Sequence, residues 1–143
     1  MSKRSSVKVC QVFGEYVEYL MTPPSLMDFL HEDGFDEDWE SCGLSIETHL
    51  WDLQIALSVN PESGDVIPHS GGLRKLRWAL PNSGKRGGAR VIYMWIPDIG
   101  IVYLYMVYPK SMVDDIKPGV LKLMRMEAEQ MRERLIKIYG NDC

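Results

Sequence analysis

Two short apolar segments joined by a turn constrain this chain most. Residues 90–96 and 101–108 are apolar at nearly every position, and Pro97, Asp98 and Gly100 lie between them. Each segment has the length of a β-strand, and the residues between them are typical of a tight turn. Strands that are apolar on both faces need cover on both sides. The segments therefore predict a central hairpin enclosed by helices, and they are too short and broken for a membrane span.

The segments on either side of the hairpin predict a third strand and a long helix. In residues 73–80 the apolar side chains alternate, so that Lys75 and Arg77 fall on the opposite face from Leu76, Trp78 and Leu80. Pro118 is predicted to begin a helix that runs to about residue 139. Its apolar residues step by three and four and form one stripe: Leu121, Met124, Ala128, Met131, Leu135 and Ile138.

The first part of the chain has a weaker pattern. A strand is predicted over residues 7–21 and a short helix over residues 25–32, after Pro23 and Pro24. Ser45 would cap a second helix, which has apolar residues at Ile46, Leu50, Leu53 and Leu57. The predicted class is α+β, with a small antiparallel sheet built from an N-terminal strand plus a three-stranded meander, two N-terminal helices and a C-terminal helix.

Composition excludes several classes of protein. A chain of 143 residues favours one domain over residues 1–143. The three cysteines are far apart in the sequence, which indicates a reducing cytoplasm and not a disulfide framework. No metal or cofactor is expected, because the three histidines lack metal-ligand spacing and no phosphate-binding loop motif occurs. No signal peptide or membrane association is predicted either.

Charge is strongly segregated along the chain. Residues 22–65 contain eleven acidic side chains and no lysine or arginine, whereas residues 66–97 contain six basic side chains and no acid. The formal net charge is −4, so a uniformly basic nucleic-acid-coating protein is excluded. The segregation indicates one surface that attracts anions, although lysines and arginines that guard a sheet edge would give the same pattern.

Four basic residues line or end adjacent predicted strands, where they could converge on one phosphodiester: Lys75, Arg77, Arg90 and Lys110. Tyr93 and other aromatic residues share these strands. Aromatic side chains beside cations are what single-stranded RNA recognition uses, since bases stack while cations hold phosphates. Arg74 and the glycine-rich loop residues Lys85 and Arg86 are further candidates for phosphate contact.

Several sequence blocks together resemble the RelE/ParE toxin superfamily, and most closely its HigB-like branch. They occur in order over somewhat more than half of the chain: Asn60-Pro61-Glu62-Ser63-Gly64-Asp65-Val66-Ile67, Gly71-Gly72-Leu73-Arg74-Lys75-Leu76-Arg77-Trp78, Gly84-Lys85-Arg86-Gly87-Gly88-Ala89-Arg90-Val91-Ile92-Tyr93, and Tyr108-Pro109-Lys110-Ser111 with Asp114-Asp115. The resemblance implies a RelE-like fold, with residues 1–40 as a lengthened N-terminal region.

The resemblance also implies a function. Such proteins are toxins of type II toxin–antitoxin pairs, and many are metal-independent endoribonucleases that cleave mRNA on the ribosome. The implied partners are the ribosome, mRNA and a cognate antitoxin with a helix-turn-helix domain. By position, Lys75, Arg77, Arg90 and Lys110 match the family's catalytic basic residues. The superfamily also includes toxins that poison DNA gyrase, and an inactive RNA- or protein-binding relative is a further alternative.

Cleavage of RNA without a metal needs a base for the 2′-hydroxyl and cations for the phosphorane. Arginine cannot plausibly serve as the base because it stays protonated. Lys75 is therefore the first candidate for the base and Lys110 the second, while Arg77 and Arg90 would hold the scissile phosphate.

Overall fold

The structure is a computed structural model that describes residues 3–4, 27–81, 88–111 and 116–140. Within these ranges the helices are α1 (Phe35–Ser41), α2 (His49–Val59) and α3 (Pro118–Tyr139). The strands are β1 (Lys3–Arg4), β2 (Asp28–His31), β3 (Asp65–Val66), β4 (Arg74–Trp78), β5 (Ala89–Ile96) and β6 (Ile101–Pro109). A short 3₁₀ helix, Pro97–Ile99, forms the predicted turn between β5 and β6.

The described strands form one sheet in the order β1-β2-β6-β5-β4-β3. Strands β4, β5 and β6 make the predicted antiparallel meander. Strand β2 pairs with the other side of β6 in the parallel direction. The α+β class is therefore confirmed, but the sheet is mixed and not purely antiparallel, because the chain crosses over from β2 through both helices before it returns to the sheet.

Residues 28–31 depart from the sequence prediction, because they form strand β2 where a helix over residues 25–32 is predicted. All four side chains of this strand are buried. Phe29 and Leu30 pack into opposite core clusters. A strand between β1 and β6 buries both of its faces, and this tertiary gain outweighs the local helix signal. The predicted strand over residues 7–21 lies outside the described residues.

Two layers of helix cover the sheet, as the apolar hairpin predicts. On one face, α1 and α2 pack against a cluster that includes Trp39, Leu53 and Leu57. On the other face, α3 packs against a cluster that includes Ile92, Met94 and Ile101. Successive residues of β5 contribute to the two clusters in turn. The central strands are therefore buried on both faces, and any site open to solvent has to lie at an end or an edge of the sheet.

The helix boundaries differ slightly from the prediction. Helix α2 begins at His49, four residues after Ser45. The Ser45 hydroxyl instead accepts hydrogen bonds from the Glu47 and Thr48 N–H groups, at 3.1 and 3.3 Å, and so forms a turn ahead of the helix. At the end of α3, Ile138 is 55% exposed, and Tyr139 completes the buried stripe in its place. No helix in the described ranges is long and apolar enough to cross a bilayer.

Candidate functional site

Two arginines lie directly opposite each other on β4 and β5. The antiparallel register pairs Arg77 with Arg90 and Lys75 with Ile92. Because side chains alternate along a strand, Lys75, Arg77 and Arg90 all project from the face that α3 covers further along the sheet. Directly opposed residues of an antiparallel pair have Cβ atoms about 5 Å apart, and like charges in that position repel each other. The register therefore places two cationic side chains next to each other on one face, where both can contact the same anion.

The two arginines differ in exposure. Arg77 is exposed, whereas Arg90 is 7% exposed and its guanidinium donates a hydrogen bond of 3.2 Å to the Ala89 carbonyl. A buried cation keeps its orientation, because burial and hydrogen bonds limit its rotamers. Arg90 is thus a fixed positive group at the wall of the site, whereas the side chain of Arg77 is in contact with solvent.

Strand β6 extends this row across the sheet. Tyr108 is the register partner of Arg90 on the side away from Arg77. Lys110 follows the strand, is exposed, and donates its backbone N–H to the Gly88 carbonyl at 3.0 Å, which closes the end of the hairpin. The four basic residues Lys75, Arg77, Arg90 and Lys110, hereafter the basic cluster, therefore occupy three neighbouring strands or strand ends.

The basic cluster has the chemistry of a phosphate site. Two guanidinium groups offer several N–H donors in fixed planes that match phosphate oxygens. In the described part of the chain, Lys75, Arg77 and Lys110 have no ion pair with a carboxylate. No carboxylate of the described residues therefore neutralises these three charges.

Arg74, in contrast, faces the other side of β4 and is engaged in a structural contact. Its guanidinium donates to the Gly64 carbonyl at 2.8 Å and to the Glu62 carboxylate at 3.3 Å. These bonds tie the loop of residues 60–64 to the sheet. Arg74 therefore does not join the basic cluster, although it is next to Lys75 in sequence.

Tyr93 also has a structural role. Its ring is fully buried on the α1 and α2 face of the sheet, so it offers no surface on which a base could stack. Its hydroxyl donates to the Pro61 carbonyl at 2.7 Å and accepts from the Gly64 N–H at 2.9 Å. Burial raises the pKa of this hydroxyl. Of the remaining predicted contacts, Lys85 and Arg86 lie outside the described residues.

Tyr108 lies next to Arg90 on the neighbouring strand, but the sequence did not predict it as a residue of the site. Counting outward from the turn pairs Ile96 with Ile101, and a regular ladder would then place Val107 opposite Arg90. A β-bulge changes the register between Ile92 and Tyr93, so that Tyr108 takes that position instead. The sequence shows that an aromatic residue, Tyr108, ends the second apolar segment. The position of the bulge, and therefore the partner of Arg90, is known only from the pairing of the strands.

The chain was also compared with models of known protein families, and none of them matches it.

Proposed function

We propose that this protein is a toxin of a type II toxin–antitoxin pair that cleaves translated mRNA on the ribosome and so inhibits translation. The observation that supports this most is the pairing of Arg77 with Arg90 across two strands, with Lys75 on the same face. Guanidinium groups on opposed residues can both donate hydrogen bonds to the oxygens of one phosphate. The sequence resemblance to HigB-like toxins supports the same function.

The proposed reaction is an internal transfer at one phosphodiester. Lys75, or alternatively Lys110, takes the proton from the 2′-hydroxyl, and the 2′-oxygen forms a bond to phosphorus. Arg77 and Arg90 hold the non-bridging oxygens and stabilise the charge of the phosphorane. The bond from phosphorus to the 5′-oxygen then breaks, and that oxygen takes up a proton. The ribosome supplies alignment of the RNA, which lowers the barrier by several kcal/mol.

A cognate antitoxin with a helix-turn-helix domain would keep the protein inactive. An acidic or amphipathic segment of that antitoxin is expected to mask the basic cluster. Hydrogen exchange of the complex should then show protection over residues 74–90. Protection confined to the acidic region of residues 22–65 would mean that the antitoxin inhibits in another way.

Mapping RNA ends in a translating extract tests the proposal. We expect cuts within translated codons, and a loss of roughly tenfold to a thousandfold in Lys75→Ala and in Arg77→Ala, as for removal of a general base or a charge stabiliser. The double variant should lose less than the product of the single losses, because the residues act on one phosphate. Lys137→Ala, an exposed lysine in the last turn of α3, is the matched control.

The same extract distinguishes the alternatives. Breaks in double-stranded DNA, with intact mRNA, would indicate a toxin that poisons gyrase. Full cleavage by both alanine variants, when they remain folded, would show that the basic cluster is not the nuclease site.

A further inference from the structure

A second polar site lies between the sheet and the middle of α3. This cleft has a volume of about 190 Å³. Tyr103 and Tyr105 of β6 form one wall, Glu127 and Arg134 of α3 form the other, and Glu32 closes the end next to β2. The Glu32 N–H donates to the Leu104 carbonyl at 2.9 Å, which fixes this residue beside the two tyrosines. None of these residues belongs to the basic cluster.

The cleft contains a buried polar group whose hydrogen bonding is incomplete. Tyr103 is 2% exposed, and its hydroxyl has no hydrogen-bond partner among the described residues. A buried hydroxyl without a partner is costly, and native proteins rarely keep one without a reason. The neighbouring Tyr105 hydroxyl, in contrast, donates to the Glu127 carboxylate. The lone pairs of the Tyr103 hydroxyl are therefore used by none of the described residues.

The charges of the cleft favour a cation. Among the described residues that line it, Glu32 and Glu127 provide two carboxylates, against the one guanidinium of Arg134. Burial, followed by repulsion from Asp33 and Glu127, raises the pKa of Glu32. A bound cation would relieve that repulsion, whereas a bound anion would add to it. No group of three or more metal-binding side chains occurs in the described ranges, so an organic cation suits the cleft better than a metal ion.

The walls of the cleft suit the alkyl part of such a cation. The rings of Tyr103 and Tyr105 lie 6.4 Å apart at an angle of 37°, and an ammonium group is attracted to the face of an aromatic ring. Leu73 and Met131 add apolar surface for methylene groups. The volume is enough for a chain of a few carbons, since a cavity of about 150 Å³ holds a benzene molecule.

We propose that the cleft between β6 and α3 binds an alkylammonium group, with the Tyr103 hydroxyl and the Glu127 and Glu32 carboxylates accepting its N–H donors. The chemistry is shared by the lysine side chain of a partner protein and by a free polyamine. This site is separate from the proposed nuclease function, and it does not depend on that function being correct.

Titration of the full chain with n-butylammonium, followed by NMR chemical shifts, tests the proposal. Neutral n-butanol and potassium chloride at equal ionic strength are the controls. We expect saturable binding of the ammonium only, about tenfold weaker in Glu127→Gln and several-fold weaker in Tyr103→Phe, as for the loss of charged and neutral hydrogen bonds. Glu133→Gln, an exposed α3 carboxylate outside the cleft, should bind as the original protein does.

Three results would overturn the proposal: no saturable binding of butylammonium, equal binding of butanol, or unchanged affinity in both cleft variants with their spectra showing intact folds. Spermidine and Nα-acetyl-lysine amide then separate the two sources. Tighter binding of spermidine than of the lysine derivative supports a free polyamine, and equal binding supports a lysine side chain. Ribosome-dependent cleavage should be unchanged in Glu127→Gln, so failure of this site and failure of the proposed nuclease are distinguishable.

Discussion

Tyr93 and Tyr103 lie on neighbouring strands and differ in their hydrogen bonding. The Tyr93 hydroxyl has two partners, whereas the Tyr103 hydroxyl has none among the described residues, so removing each hydroxyl should change stability differently. The Tyr93 hydroxyl holds the loop of residues 60–64 through two hydrogen bonds. We expect Tyr93→Phe to lower the free energy of unfolding by about 1–3 kcal/mol, because it leaves two buried backbone groups without a partner. Tyr103→Phe should leave the free energy of unfolding unchanged or raise it, because it removes a buried hydroxyl that has no partner among the described residues. Urea unfolding of both variants measures the difference, and equal losses would contradict this assignment.

Glu32 should make the protein less stable as pH rises. Burial, and then the Asp33 and Glu127 carboxylates, raise the pKa of Glu32 in the folded state. A group with a raised folded-state pKa contributes stability below its unfolded pKa and loses that contribution as pH rises through the folded value. We therefore expect Glu32→Gln to be more stable than the original protein at pH 7, with a gain that disappears in acid below the ordinary glutamate pKa. Thermal unfolding across pH measures this, with Glu133→Gln as the control.

We expect Arg77 to lower the free energy of unfolding and, at the same time, to be needed for RNA cleavage. It lies opposite Arg90, and directly opposed like charges destabilise a strand pair. We expect Arg77→Gln to raise the free energy of unfolding by about 0.2–1 kcal/mol in low salt, and the gain should shrink as salt screens the charges. Ribosome-dependent cleavage should fall by about a hundredfold in the same variant, as for loss of a charge stabiliser. A destabilised Arg77→Gln protein would show that the pair is not repulsive in the free state.

Gly64, in the loop of residues 60–64, packs closely against the face of the sheet opposite the basic cluster. A Cβ atom on Gly64 would lie 2.8 Å from Cε1 of the Tyr93 ring and 3.1 Å from the carbonyl carbon of Lys75. We expect Gly64→Ala to cost about 1–3 kcal/mol of stability, since neither the buried ring nor the backbone can move freely. Gly119→Ala in α3 is the matched control, because no atom lies near its Cβ position. Thermal unfolding of the two variants tests this, and a neutral Gly64→Ala would mean that the loop can shift.

The bulge in β6 falls at Tyr105, between Tyr103 of the cleft and Tyr108 beside Arg90. It brings Met106 onto the α3 face and moves Tyr108 opposite Arg90. A regular strand would alternate from Tyr103 to the end and place Val107 there instead. One irregular step therefore decides which residue of β6 lies beside Arg90.

The segregation of charge along the chain should make binding to ribosomes or RNA depend strongly on salt concentration. The basic residues of 66–97 are separated in sequence from the acids of 22–65. If the protein neutralises about four phosphates, the logarithm of its affinity should fall with a slope of about −3 against the logarithm of salt concentration. Lys85→Glu combined with Arg86→Glu should weaken binding and flatten the slope, whereas Lys137→Glu should change neither much. Binding that is insensitive to salt would contradict a phosphate-binding surface.

Helices and strands with a clear local period could be predicted from the amino-acid sequence alone. The apolar segments around Pro97–Ile99, the alternation in β4 and the stripe of α3 each repeat with the period of their own structure. These patterns were sufficient for the α+β class and the meander. They also placed Lys75 and Arg77 on one face of a strand, because the alternation of side chains needs no knowledge of the neighbouring strands.

The residues that meet across elements could not be predicted without the packed fold. Residues 28–31 form a strand because β6 offers them a partner, and neither that pairing nor its parallel direction is written in the four residues themselves. Arg74 and Tyr93 form hydrogen bonds with the loop of residues 60–64 and do not join the basic cluster. They lie on the face of the sheet that this loop covers, opposite the face of the basic cluster. The register of Tyr108 depended on a bulge, and the cleft on the position of α3 over β6. Contacts of this kind are set by long-range packing, which a period along the chain does not encode.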